Sequence, residues 1–365
     1  MRRPEWGCAR DRSDIGWLDI KAYQFTKWQT EPELRSVPDP EPGPGEVLVK
    51  VGGAGACHSD LHLMEWPEGA MDYRLPFILG HENAGWVEAV GAGVTGLETG
   101  ETVAVYGPWG CGVCRACRSS SENYCENQAS LGYAGGGLGR DGGMAEYMLV
   151  PDKRLLIPLG DLDPRVAAPL TDAGLTPYHA VVRSLDRLYA GSTAVIIGVG
   201  GLGHMAIQII KAISPATVVA LDVDREKLDL ATEVGADAAL LSDEDAVASI
   251  RDRTSGLGAE LVIDMVGSDA TMGLASQIVA VRGDLTVVGL AGGTLPFAFG
   301  AVPFEAGVAL PYWGSAIELM EVLELARQGR ISTHTQQFGL DEAPLAYEKL
   351  REGKLVGRAV ILPNG

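Results

Sequence analysis

Between positions 193 and 213 the chain reads TAVIIGVGGLGHMAIQIIKAI. A short apolar run ends at Gly198, and Gly198, Gly200 and Gly203 follow at G-x-G-x-x-G spacing. Leu202, Met205, Ala206, Ile209, Ile210 and Ile213 then recur at the interval of one helix face. A strand that turns straight into an amphipathic helix through such a loop admits few folds. Gly198 permits the tight turn, Gly200 lets backbone approach a pyrophosphate with Gly201 in the same loop, and Gly203 lets helix and strand pack closely. The helix N-terminus offers unpaired N–H groups and a positive dipole to phosphate. Asp222 closes the next apolar run, TVVALD. Its carboxylate is placed to accept both ribose hydroxyls of NAD and to repel the 2′-phosphate of NADP. In a chain with 48 glycines the motif alone would be weak. The strand before it, the helix after it and the acidic residue beyond make it specific.

The alternation continues. TVVALD (217–222) precedes a helical pattern at 224–234, and AALL, ELVIDMVG and DLTVVGL follow with helices between them. Val308–Leu310 precedes a further helix near 315–328. Continuous apolar strands separated by helices predict a doubly wound parallel sheet covered on both faces. Upstream of about residue 170 the texture differs. Val47, Val49 and Val51 alternate with less apolar positions after PDPEPGPGE, and short β runs at 85–91 and 102–105 are separated by glycines. This mostly β region carries five of the six cysteines and three of the six histidines. A chain of 365 residues is long for one domain. The expected class is therefore α/β, in two domains. The mostly β region runs to about residue 170, the alternating region follows it, and a final mixed segment comes after the helix near 315–328. Residues 1–19 read as a tail.

Lys and Arg total 29 against 48 Asp and Glu, a net charge of −19. Such a surface repels phosphate backbones, so nucleic acid and anionic membranes are excluded as partners. No apolar run is long enough to span a bilayer, and no apolar segment near the N-terminus reads as a signal peptide. The chain is expected in the cytoplasm. Of six cysteines, Cys111, Cys114, Cys117 and Cys125 crowd into one segment, at the spacing of a closed tetrahedral zinc site with no open position. A second set is dispersed: Cys57, His58, Ser59, Asp60 and His62, then His81 and Glu82, then Asp172. One thiolate, one imidazole and one carboxylate would hold a catalytic zinc with a fourth position open. Taken singly, each also reads as an ordinary buried thiol, core histidine or helix cap.

At these residues the sequence resembles the zinc-dependent medium-chain alcohol dehydrogenases, from about Lys21 to the C-terminus. The segments GHE (80–82), VYGPWGCG (105–112), PLTDAGLTPYHA (169–180), GVGGLG (198–203) and PYWG (311–314) carry the likeness. They are most similar to those of bacterial secondary-alcohol dehydrogenases. The resemblance implies a GroES-like catalytic domain over 20–170 to which 315–365 returns, split by a Rossmann NAD-binding domain inserted over 171–314, and reversible oxidation of an alcohol with NAD. It implies two zinc ions per chain: a catalytic one on Cys57, His81 and Asp172, and a structural one on the four clustered cysteines. Glu82 would sit beside the catalytic metal, and Asp60 would fix the His81 ring. Thr176 and Leu202 fall near the nicotinamide, His58 and Arg358 near the pyrophosphate, and Lys227 near the adenosine ribose.

Ser59 and His62 fall where a proton relay would run. Tyr73, Leu138, Tyr312 and Trp313 are the expected apolar wall of the substrate pocket, which favours secondary or aryl alcohols. A polyol, aryl-alcohol or threonine dehydrogenase of the same family is the alternative. Cys57, His81 and Asp172 together oppose a zinc-free enone reductase. A homodimer or homotetramer joined through the cofactor domains is implied as well. Asp172 stands where many family members carry cysteine. The tail at 1–19 has no family counterpart, so a start upstream of the family's usual one is expected.

Overall fold

The computed structural model describes residues 19–365. The expected tail, with Cys8, lies outside the described residues except for Asp19, which opens the first strand.

Residues 193–309 build a six-stranded sheet in which every pairing is parallel. The strands in spatial order are Ala238–Leu241, Thr217–Asp222, Thr193–Ile197, Ala259–Asp264, Val279–Val287 and Gly307–Ala309. Numbered along the chain this is 3-2-1-4-5-6, the doubly wound order with its switch point beside the first strand. Alternation of faces explains the continuous apolar runs. Ala194 and Ile196 join one core cluster, while Val195 and Ile197 join another on the opposite face. Helices Gly203–Ile213, Arg225–Glu233, Ala246–Arg253 and Asp269–Ile278 supply the cover. The helix after the glycine loop is buried more broadly than one face, because His204, Ile207 and Gln208 are buried as well.

The mostly β region forms a second sheet, ordered Leu156–Pro158, Thr102–Val105, Glu82–Val90, Val47–Ala56, Arg358–Leu362 and Thr335–Gly339, with Tyr147–Val150 also paired to Val47–Ala56. The last strands of the chain thus complete a sheet begun three hundred residues earlier. The expected alternation at Val47, Val49 and Val51 does not hold. Leu48 is buried too, and the strand is covered over nearly its whole length. Its edges pair with three neighbours, and the segments Pro164–Ala167 and Ala168–Thr171 pack against it, so residues on both of its faces are buried. A small antiparallel sheet joins Asp19–Phe25 to Glu33–Pro38 and Phe77–Ile78. Its Phe25, Phe77, Trp28 and Tyr23 side chains enter the main core.

Candidate active site

The central strand Val47–Ala56 ends against helix His58–Glu65, and Cys57 is that helix's N-cap. Asp60, in the first turn, accepts the Cys57 N–H at 2.9 Å. The other oxygen of the same carboxylate meets His81 Nδ1 at 3.1 Å. Asp60 therefore fixes two candidate ligands at once, and its contact assigns the His81 proton to Nδ1, leaving the Nε2 lone pair for a metal. His81 enters from the turn at Gly80, whose φ of 93° and close contact with Met144 leave no room for a side chain. Asp172 follows the tight turn Ala168–Thr171, and Thr176 Oγ1 donates to its Oδ1.

The ligand atoms of Cys57, His81 and Asp172 all lie within 4.8 Å of one another. His81 Nε2 and Asp172 Oδ2 are 3.7 Å apart, too far for a hydrogen bond. A tetrahedral ion with bonds near 2.1 Å spaces its ligands by about 3.4 Å, so the separation suits a shared zinc. Charge points the same way. Burial alone would disfavour a protonated His81, yet Asp60 and Asp172 raise its pKa well above the ordinary value. Burial would likewise raise Asp172, but His81 and then Arg358 hold it below the usual carboxylate range. A buried donor set that draws in positive charge in this way fits a divalent cation.

These residues form the floor of a cleft of about 460 Å³, the size of a small-molecule site. Its other end is the glycine loop. Gly198 has φ 89°, a Cβ on Gly203 would stand 1.9 Å from the Gly198 carbonyl oxygen, and one on Gly200 would meet open space. The first two glycines named are thus structurally required, and the third opens the loop to a ligand, which fits a bound dinucleotide. Asp222 Oδ2 accepts the Val199 N–H at 2.7 Å and its Oδ1 accepts that of Asp224 at 3.0 Å. Each oxygen keeps a lone pair for a ribose hydroxyl. His58, Ser59, His62, Leu138, Thr176, Gly201, Leu202, Lys227, Tyr312, Trp313 and Arg358 line the same cleft. Desolvation, with Arg358 adding to it, pushes His58 down to about 4. Desolvation also lowers His62, whose Nδ1 is buried without a partner.

Two expected residues are placed differently. Tyr73 is not on the cleft wall. Its ring packs edge-on to Phe77 at 6.2 Å, against the turn at Gly139. Glu82 does not line the cleft either. Its carboxylate is fully buried and accepts Arg358 Nε at 2.9 Å, Arg358 Nη2 at 2.5 Å and the Ala173 N–H at 3.0 Å. Burial pushes Glu82 up to about 7 while Arg358 pulls against that. The guanidinium that holds Glu82 also packs beside Gly201 of the glycine loop, so one side chain ties the metal floor to the phosphate end.

Tyr347 is a site residue that sequence reasoning missed. Its hydroxyl donates to Asp60 Oδ2 at 2.9 Å, adding a third bond to the carboxylate that orients His81. It comes from helix Ala343–Arg351, and no local pattern links it to Asp60. Tyr347→Phe is expected to keep the fold and to speed catalytic-site zinc loss to a chelator about tenfold. Zinc release timed in both proteins checks this, and an unchanged rate would contradict it.

The four clustered cysteines converge. Sulfur separations are 3.9 Å for Cys111–Cys117, 3.4 Å for Cys114–Cys117 and 4.0 Å for Cys114–Cys125. Tetrahedral zinc with Zn–S bonds near 2.3 Å requires about 3.8 Å. Backbone N–H groups of Cys111, Cys114 and Cys117 point at sulfurs, as does the Asn127 amide. The Val113 N–H, then the Asn127 amide and the Cys114 N–H, draw Cys111 down to about 6, toward the thiolate a metal takes, whereas burial pushes Cys117 and Cys125 up, as it does thiols with no cation among them. Glu122 braces the lobe, accepting the Gly110 N–H at 2.6 Å and Arg154 Nε at 3.0 Å.

Residues 43–161 match the alcohol dehydrogenase GroES-like domain and residues 201–326 match the zinc-binding dehydrogenase domain. An NAD-dependent alcohol dehydrogenase of Sulfurisphaera tokodaii is 38% identical over 91% of this chain and 96% of its own. A D-arabinose 1-dehydrogenase (NADP+) of Saccharolobus solfataricus is 35% identical over 96% of this chain and 99% of its own. The crystal structure of the alcohol dehydrogenase from Aeropyrum pernix superposes with a TM-score of 0.86 at 37% identity, covering 94% of this chain and all of that one. Acetophenone reductase from Geotrichum candidum, solved with NAD, gives 0.82 at 33% identity over 94% and 97%.

Proposed function

The chain belongs to the zinc-dependent medium-chain alcohol dehydrogenases, enzymes that interconvert alcohols and carbonyl compounds, and from that premise we propose that it oxidises secondary or aryl alcohols with NAD at the Cys57–His81–Asp172 floor of the cleft. One observation carries the reading: three metal-ligating side chains and a dinucleotide loop closed by Asp222 open into the same cavity. When bound, zinc supplies Lewis acidity toward the alcohol oxygen and NAD accepts the hydride.

The protein's own groups do the rest. Asp60, braced by Tyr347, holds His81 in the ligating tautomer. Ser59, two residues beyond Cys57, accepts the alcohol proton as it passes its own hydroxyl proton on. His62, one helical turn on, accepts it toward solvent in its neutral form. Leu138, Tyr312 and Trp313 keep water from the reacting carbon and favour an apolar substituent. Arg358 and the N–H groups of the glycine loop receive the pyrophosphate, with His58 and Lys227 beside the cleft. Glu82 acts through Arg358, the partner it is bonded to.

Asp222 sets the nucleotide. A 2′-phosphate beside its carboxylate would cost about 1–3 kcal/mol, so NAD is expected to be preferred by roughly tenfold to a hundredfold. The NADP-linked relative makes this a sharp test. Initial rates with both nucleotides and a panel of alcohols check it. Asp222→Gly should narrow the preference, and a wild-type preference for NADP would refute the assignment.

No helix among the described residues is long and apolar enough to cross a membrane, and the reading places the enzyme in the cytoplasm. It also takes a homo-oligomer joined through the cofactor domains. Strand Gly307–Ala309 ends the parallel sheet with one edge unpaired, and Phe297, Phe299, Phe304 and Leu310 near it are exposed. A second copy would cover that apolar edge.

A further inference from the structure

Trp313 sits over the metal floor, its ring edge-on to His81 at 5.7 Å. Its φ is 55°, a strained region that bulky residues rarely occupy. Such a conformation persists only where neighbours hold it. Besides the bonds to its own following helix, four hydrogen bonds hold the segment 312–316 to distant parts of the chain. Trp313 Nε1 donates to the Thr171 carbonyl at 3.0 Å, and Tyr106 Oη donates to that of Gly314 at 2.6 Å. Asn123 Nδ2 donates to the Tyr312 carbonyl at 2.8 Å, and the Ala316 N–H donates to the Ser120 carbonyl at 3.0 Å.

The last two bonds come from the cysteine lobe, because Ser120 and Asn123 lie between Cys117 and Cys125. Asn123 is 5% exposed, and its Oδ1 is buried without a partner. An amide with half its capacity unmet is a costly core residue. What its side chain contributes is the bond to Tyr312. The lobe lies outside the cleft lining, yet it grips the backbone of Tyr312, which lines the cleft, and of Ala316 just beyond it.

We propose that Asn123 is a positioning residue for substrate selection, through which the four-cysteine lobe sets the Tyr312–Trp313 wall. The lobe then does more than stabilise the fold: its bond to Tyr312 fixes how large a group fits beside the reacting carbon. The claim rests on the alcohol-oxidation reading, so its test includes a readout independent of turnover.

In Asn123→Ala, the ratio of kcat/KM for 1-phenylethanol to that for 2-propanol should shift about tenfold, the scale of one displaced contact in an apolar pocket. Zinc content and the KM for NAD should stay at wild-type values. Hydrogen exchange over residues 311–316 should quicken while that of strand Thr193–Ile197 does not. A purely structural role would lower the melting temperature and leave the alcohol ratio unmoved. If Asn123→Ala does not fold, Asn123→Asp removes the donor while keeping the shape, and Tyr106→Phe releases the neighbouring Gly314 bond. A folded, fully metallated variant with an unchanged alcohol ratio overturns the proposal, whatever its exchange at 311–316. If the wild-type enzyme oxidises neither alcohol, the functional reading falls instead. The exchange result then decides the positioning claim alone: faster exchange supports it and unchanged exchange overturns it.

Discussion

Asp172→Ala is expected to leave purification with one zinc per chain instead of two, and with alcohol turnover down at least about a thousandfold. The reasoning starts from the donor count. Cys57 and His81 alone give a zinc two protein ligands where a catalytic site uses three. The carboxylate also carries charge. Without Asp172, the buried His81 keeps Asp60 but loses the partner 3.7 Å from its other nitrogen. Arg358, whose Nη2 is 3.8 Å from Asp172 Oδ2, then faces the thiol side of the site with less to balance it. Both changes weaken a cation's hold. The four-cysteine lobe shares no residue with this floor and should keep its metal. Elemental analysis separates the outcomes. One zinc with a cooperative melt supports the assignment, and two retained zincs would sink it.

Ser59→Ala is expected to bring turnover close to background, by about a hundredfold or more, with both zincs in place. The proton released in oxidation leaves from beneath a bound cofactor, and Ser59 is the hydroxyl next to Cys57, its Oγ 3.6 Å from Sγ. His62→Gln should cost about tenfold to a hundredfold, most below neutral pH. The sign follows from desolvation, which moves the His62 pKa down from its ordinary value. A base with a lowered pKa stays neutral, and so able to accept, to lower pH than a free histidine does. Wild-type oxidation should therefore persist on the acid side, where the variant has lost it, and hydroxide or added imidazole should restore part of the rate. A wild-type rate for Ser59→Ala, measured where chemistry limits turnover, means the relay as drawn is wrong.

What was legible in the sequence, and what was not, follows the range of the interactions. The glycine loop could be read because each glycine answers a local demand, and the atoms a Cβ would strike at Gly203 belong to a residue five positions away. The cysteine lobe was legible for the same reason. The catalytic floor was not legible from residue types alone: Cys57, His81 and Asp172 come from three separate turns, and only the family resemblance grouped them. Orientation escaped altogether. Glu82 follows His81 directly, but its partner Arg358 lies 276 residues away and turns the carboxylate away from the cleft. Tyr347 reaches Asp60 across 287 positions. Val47 to Val51 misled because the alternation rule assumes one wet face, and this strand has none.

The central claim is that hydrogen passes directly from the alcohol carbon to NAD at the Cys57–His81–Asp172 site. It is tested most directly with a secondary alcohol deuterated at the carbinol carbon, oxidised by enzyme of measured zinc content. Mass analysis of the recovered NADH should find one deuterium per molecule formed, and Asp172→Ala enzyme should form almost none. Ketone formed while the recovered NADH carries no deuterium, or labelled NADH formed at the wild-type rate by Asp172→Ala enzyme, would contradict it.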